Sequence, residues 1–190
     1  MNYEFLIQKK MKILAFGASY SQTSINKEFA TYAASKFEDA NVEILDLNNY
    51  QLPLLTIELE NEIGHPAVAK EFVNKLGEAE LIIISLSEHN GSYTAAFKNL
   101  FDWASRVKLN MFENKKVLLL ATAPGPRGGI SVLEAAEKRF PIHGAEIMGS
   151  FSLPKFQDNF SKEKGILDAE LKNKFEKIIA NVKEGFTVTA

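Results

Sequence analysis

Residues 87–103, SEHNGSYTAAFKNLFDW, gather serine, glutamate, histidine and asparagine around a glycine and then run straight into a helical pattern. Backbone hinged on glycine can come close to a flat aromatic ligand and edge it with polar groups. The run before it, LIIISL at residues 81–86, is short, continuously apolar and rich in β-branched residues, which reads as a parallel strand buried on both faces. In open α/β sheets ligands occupy the crevice outside the carboxyl ends of the strands, and Ser87, Glu88, His89, Asn90 and Gly91 fall at that end. An ordinary strand-to-helix connection would use the same residue types with no ligand at all.

Two further segments have the same placement. Residues 17–26, GASYSQTSIN, supply the hydroxyls of Ser19, Ser21, Thr23 and Ser24 where a helix begins. A helix N-terminus offers free N–H groups and a partial positive charge, so a phosphate can be held there without a lysine. The plainer alternative is that Ser24 caps the helix and the rest is a polar loop. The glycine pattern of dinucleotide folds, GxGxxG, is absent here, which argues against a pyrophosphate site of that type. Residues 122–129, TAPGPRGG, put three glycines and two prolines into a rigid turn whose backbone could approach a planar ligand.

The elements that must position these loops follow from periodicity. Strands are expected at residues 12–16, 42–47, 81–86, 117–122 and 145–152. Helices are expected at 26–38, 67–76, 93–107, 131–140 and 169–184. Alternating strands and helices with apolar strands imply a parallel sheet covered on both faces. The fold class is therefore α/β, a flavodoxin-like three-layer sandwich with a five-stranded parallel sheet of order 2-1-3-4-5, whose ligand lies beside the first and third strands. The segments after strands one, three and four then converge on one crevice. Residues 1–10 look like an N-terminal extension ahead of a single domain at 11–190, because MKILAFG suits a first strand.

Composition removes other classes of function. Lys plus Arg (22) nearly balances Asp plus Glu (24), and a net charge of -2 gives no general attraction to nucleic acid. The absence of cysteine excludes disulfides, thiolate nucleophiles and cysteine-ligated metals, and fits a cytoplasmic protein. No stretch approaches the roughly 20 apolar residues of a membrane span. Any redox chemistry must come from a bound cofactor.

These loops resemble the NADPH-dependent FMN reductases of flavodoxin-like fold, which act on flavins, quinones, azo dyes and chromate. The resemblance runs over nearly the whole chain from Met11. Ser19, Ser24 and Asn26 match that family's first loop, GSxRxxSxN. Glu88, Asn90, Gly91, Ser92, Lys98, Asn99, Asp102 and Trp103 match its second, PEYNGSxPxxLKNxxDW. Gly125, Gly128 and Gly129 match the glycine-rich third loop more loosely. Ser21 replaces the first-loop arginine, Ser87 and His89 replace the second-loop proline and tyrosine, and Ala123 stands near an expected serine.

The resemblance implies bound FMN, with NADPH or NADH as reductant and a small-molecule electron acceptor. Losing the arginine makes NADH a serious candidate. Ser19, Ser21, Ser24, Ile25 and Asn26 would surround the FMN phosphate. Ser87, Glu88, His89, Asn90 and Gly91 would edge the ring, and Ala123, Gly125, Gly128 and Gly129 would lie near its pyrimidine side. No side chain is expected to act as an acid, base or nucleophile, because the flavin carries the chemistry. The resemblance further implies a homodimer or homotetramer, with residues 52–66 near the subunit contact. Trp103 is expected in the core, and His65 and His143 as structural residues with no metal-ligand spacing. Lys98 and Asp102 could pair within their helix or serve an interface. Phe101, Phe112 and Phe156 could cover a substrate, serve an interface or fill the core. A flavodoxin-like one-electron carrier and a module that has lost flavin are the alternatives.

Overall fold

Runs of consecutive apolar residues build the centre of the molecule. The computed structural model describes residues 10–187, so the expected extension lies outside the described residues except for Lys10. In chain order the strands are β1 (Lys12–Ala18), β2 (Asn41–Ile44), β3 (Leu81–Leu86), β4 (Glu88–His89), β5 (Ser92–Tyr93), β6 (Lys116–Thr122), β7 (Glu146–Leu153), β8 (Phe160–Ser161) and β9 (Gly165–Ile166). The helices are α1 (Ile25–Ala34), α2 (Ile57–Ile63), α3 (Ala67–Glu78), α4 (Ala95–Val107), α5 (Ile130–Arg139), α6 (Phe156–Asn159) and α7 (Ala169–Thr187).

Five strands form one parallel sheet in the order β2-β1-β3-β6-β7. Counted within the sheet this is the expected 2-1-3-4-5. Every residue of β3 is buried, as are all residues of β1 and β6 after the first, which is what helices on both faces require of central strands. On one face α1 and α7 bring Phe29, Phe175 and Ile179 against Ile13, Ile83 and Leu120. On the other, α3, α4 and α5 bring Phe72, Phe97 and Val132 against Leu14, Ile84 and Leu119. Phe101, Phe112 and Phe156 are all buried in these cores, so they form neither a cover nor an exposed interface in this chain.

Departures from expectation fall at edges and loops. The edge strand β2 stops at Ile44 because Asp46 caps a 3₁₀ turn over Leu47–Asn49, accepting from Asn48 N. Residues 52–66 are not a plain loop, since Thr56 caps α2 within them and Gly64 ends it. The segment 87–93 is a β-hairpin, β4–β5, with Asn90 (φ 52°) and Gly91 (φ 77°) as its two turn residues. Both are left-handed, the geometry of the type I′ turn that asparagine–glycine favours. A second hairpin, β8–β9, follows α6 and leads into α7.

Candidate functional site

The first loop leaves β1 at Ala18 and enters α1 through Ser24. Gly17 is glycine because a Cβ there would lie 2.3 Å from Lys27 N, so α1 begins almost in contact with β1. Ser24 Oγ accepts from Lys27 N at 3.2 Å and caps the helix. The backbone N–H groups of Ile25 and Asn26 precede the first helical hydrogen bond and have no partner among the described residues. Ser19 Oγ accepts from Ser21 N at 3.1 Å, and Ser21 and Thr23 place their hydroxyls 3.5 Å apart on the exposed side. Tyr20 ties this loop down, donating to the Tyr50 carbonyl at 2.8 Å, and burial raises its phenol pKa to about 12. Tyr50 in turn donates to Glu71. The result is a half-exposed nest of hydroxyls and open N–H groups at the positive end of a helix.

Asn26 is only 2% exposed and is the hub of the site. Its amide nitrogen donates to Ser87 Oγ (2.9 Å) and to the Thr122 carbonyl (3.0 Å). Its oxygen accepts from Ser85 Oγ (2.7 Å) and Thr122 N (3.0 Å). All of its amide's hydrogen-bonding capacity is consumed. The side chain expected beside a phosphate therefore braces the ends of β3 and β6 against α1, and only its backbone N–H faces outward chemistry.

In the second loop, Ser87 is held by Asn26, and the Glu88 carboxylate turns inward to accept from Val132 N at 3.0 Å, at the start of α5. His89 and Asn90 are exposed, and His89 makes no side-chain hydrogen bond among the described residues. A Cβ on Gly91 would meet nothing within 4 Å, so the tip of the hairpin is open. Thr94 caps α4 through Phe97 N and reaches back to the Ala18 carbonyl at 3.4 Å, joining this wall to the first loop.

The third loop is stapled to the chain beyond β7. Ala123 O accepts from Phe156 N, and Gly125 O accepts from Gly128 N and Lys155 N. Its glycines divide into two kinds. Gly125 is open, with nothing near a would-be Cβ. Gly128 (φ 59°) and Gly129 (φ 79°) are buried, and Cβ atoms on them would lie 2.5 Å from Ser152 Oγ and 3.0 Å from Ala121 Cβ. Packing accounts for the second pair without any ligand. Arg127 is exposed and bonds Ser131 Oγ.

The sequence pattern of the NADPH-dependent FMN reductases matches residues 11–158. The chain belongs to this family. It is an FMN-dependent NAD(P)H oxidoreductase. The chain is 26% identical over 190 residues to the NADPH:quinone oxidoreductase of Arabidopsis thaliana, a match that spans 96% of this chain and 94% of that protein. It is 26% identical over 124 residues to the quinone reductase of Escherichia coli K12, 65% of each chain. Among solved structures it is similar to FerB, a flavoenzyme NAD(P)H:(acceptor) oxidoreductase from Paracoccus denitrificans, with a TM-score of 0.69, 18% identity and coverage of 92% and 98%.

The residues present fit FMN. The open N–H groups of Ile25 and Asn26 beside serine hydroxyls suit a phosphate, and the one carboxylate of the second loop is turned away onto α5. Lys27 belongs to the fold, not to the nest: it sits 2.6 Å from Asp46, and that hydrogen bond, with those from Asn48, holds the Asp46 carboxyl down at about 2.

Residues further out are structural. His143 is buried, with Nδ1 2.8 Å from the Leu109 carbonyl and its ring edge-on to Phe101. His65 lies against Glu60, which Arg106 Nε grips at 2.8 and 3.0 Å, and the guanidinium lowers the Glu60 carboxyl below its usual range. Lys98 and Asp102 pair within α4. Trp103 is buried as expected, and its indole N–H donates to the Pro53 carbonyl. Asn99, one turn earlier, bonds Leu52, Pro53 and Leu55. Among the described residues no cluster suits a metal and no helix is long and apolar enough to cross a membrane.

Proposed function

We propose that this oxidoreductase passes the electrons of NADH or NADPH to a quinone or a similar planar acceptor, flavins and azo compounds included. The reading is carried by one observation: a single residue, Asn26, locks the start of α1 to the ends of β3 and β6, which brings the starts of the three candidate loops to one edge of the sheet. Relatives named quinone oxidoreductase or quinone reductase support the choice of acceptor.

Bound FMN would supply the redox chemistry, hydride acceptance from reduced nicotinamide and electron delivery to a second substrate. The chain supplies binding and orientation. Ser19, Ser21, Ser24 and the N–H groups of Ile25 and Asn26 hold the phosphate. The Ser87–Gly91 hairpin would edge the ring and Ala123 and Gly125 would lie near its pyrimidine side, while Gly128 and Gly129 keep the third loop packed. Ser21 in place of arginine leaves the phosphate side without a loop cation, which favours use of NADH beside NADPH. Reductant and acceptor take turns in one crevice, so the kinetics are ping-pong.

The exposed apolar face of residues 54–63 is covered by a second copy, giving a homodimer or homotetramer. A cytoplasmic location completes the reading.

The test is direct. Purified protein quenches the fluorescence of added FMN, and anaerobic mixing with NADH and NADPH separately bleaches the bound flavin before a quinone restores its colour. Protein that leaves FMN fluorescence unchanged, or holds FMN but oxidises neither nucleotide, refutes the reading.

A further inference from the structure

Three helices begin at the edge of the sheet where the crevice lies, and they are capped in two ways. At α1 and α4 the residue before the helix, Ser24 or Thr94, accepts with its own hydroxyl from the N–H three residues on, each at 3.2 Å. At α5 the preceding residue is Gly129, left-handed at φ 79° and with no side chain to offer. A side chain there is opposed twice, by the backbone conformation and by Ala121 Cβ 3.0 Å from a would-be Cβ. The N–H that a cap would take, that of Val132, is bonded instead to Glu88 Oε2 from 44 residues away.

Glu88 belongs to the hairpin whose tip is Asn90–Gly91. Its cross-strand partner Tyr93 stacks on Phe101 and Phe140, so this face of the hairpin is held against the protein while the Glu88 carboxylate reaches α5. A carboxylate on the partial positive charge of a helix N-terminus is electrostatically favoured. It also occupies the place an anion would take. The edge thus has two helix ends with their first N–H groups open, at Ile25 and Asn26 of α1 and at Ala95 and Ala96 of α4, and one, at Val132 of α5, taken by a carboxylate from within the chain.

We propose that Glu88 is a positioning residue with a selective role: its carboxylate fills the α5 N-terminus against anions, so that a phosphate is directed to the open N–H groups elsewhere on this edge, and it anchors the hairpin wall to the start of α5. This rests on the crevice being the FMN site. A fixed negative charge beside that site also disfavours adding electrons to a nearby ring, and weakly screened surroundings strengthen the effect.

Two variants separate charge from shape. Glu88→Gln keeps an oxygen able to accept from Val132 and removes the charge, whereas Glu88→Ala removes both. In cofactor-free protein, Glu88→Ala melts about 2–4 °C below the parent through loss of one cap. Sodium formate, exchanged for chloride at constant ionic strength, recovers that loss in the alanine variant alone, while the parent and Glu88→Gln do not respond. With FMN bound, the two-electron midpoint potential rises in Glu88→Gln and in Glu88→Ala, and formate returns the alanine variant toward the parent.

An alanine variant that melts with the parent or ignores formate overturns the proposal, as does a glutamine variant with the parent's potential. Should Glu88→Ala fail to fold, the potential of Glu88→Gln decides alone. Because formate rescue is read without cofactor, a parent protein that binds no FMN would refute the site reading and leave the melting test standing.

Discussion

Asn26 has two amide protons and two oxygen lone pairs, and the fold uses all four, on Ser87, Thr122 twice and Ser85. Truncating it strands the Ser85 hydroxyl and the Thr122 N–H in a buried site. Each buried polar group left without a partner costs about 1–3 kcal/mol. Asn26→Ala is therefore expected to lower the melting temperature by about 5–10 °C. It should also weaken FMN binding measured by fluorescence quenching, although the side chain has nothing left to offer a phosphate. Unchanged melting would show that the brace is dispensable.

The third-loop glycines make a paired prediction at the same scale. Gly125→Ala meets open space and should melt within about a degree of the parent, since exposed substitutions of this kind stay within about 0.5 kcal/mol. Gly128→Ala must push Cβ into Ser152 Oγ and the Pro154 backbone at positive φ, and should cost about 2–4 kcal/mol in denaturant unfolding. Equal effects at the two positions would remove the distinction between an open and a packing glycine.

At the scale of elements, what was legible in the sequence was what periodicity can carry. β1, β3 and β6 are continuous apolar runs buried on both faces, and α1, α3 and α4 show apolar residues at three- and four-residue spacing, so their order fixed the sheet. The hairpin is not legible from periodicity because strands of two residues show no period, and the Asn90–Gly91 pair is its one sequence signal. α2 was hidden because none of its residues is buried, so it has no apolar stripe toward a core. The candidate site was legible as three loops of suggestive composition. The inward turn of Glu88 and the Asn26 brace were not, because both join residues that only the folded topology brings together. Asn99 matches a loop pattern and Trp103 suits a core, but periodicity does not show that their side chains clasp residues 52–55.

A link between elements sets a pH prediction. Asp46 follows β2 and holds Lys27 in the first turn of α1, and its pKa in the folded protein is lowered to about 2. A depressed carboxyl stabilises the fold above its unfolded pKa, roughly 4, and that contribution disappears as pH falls through the folded value. Stability of the parent should decline between about pH 4 and pH 2, and Asp46→Asn should flatten that part of the curve in melts across a pH series. Both partners are more than a third exposed, so solvent screening keeps the effect modest. A parallel decline in the two proteins would assign the acid limb to other carboxylates.

At the scale of the whole molecule, the segment around α2 poses a question of economy. Asn99, Trp103 and Arg106 lie along one side of α4 and hold this segment firmly, yet it turns apolar side chains to solvent: Leu54 is 75% exposed, Ile57 73% and Ile63 48%. A segment fixed in place with its apolar side outward is what a subunit contact requires, because a preordered surface loses less entropy on association. A closed two-fold arrangement would bury the same three side chains from both copies. Light scattering behind size exclusion should therefore report a multiple of the 21.2 kDa chain. Ile57→Glu combined with Leu54→Ser should shift it to the monomer while the far-ultraviolet circular dichroism stays that of the parent, since neither side chain packs in the core. A parent that elutes at 21.2 kDa at every concentration would refute the assembly, and a double variant that keeps the parent's mass would move the contact to another face.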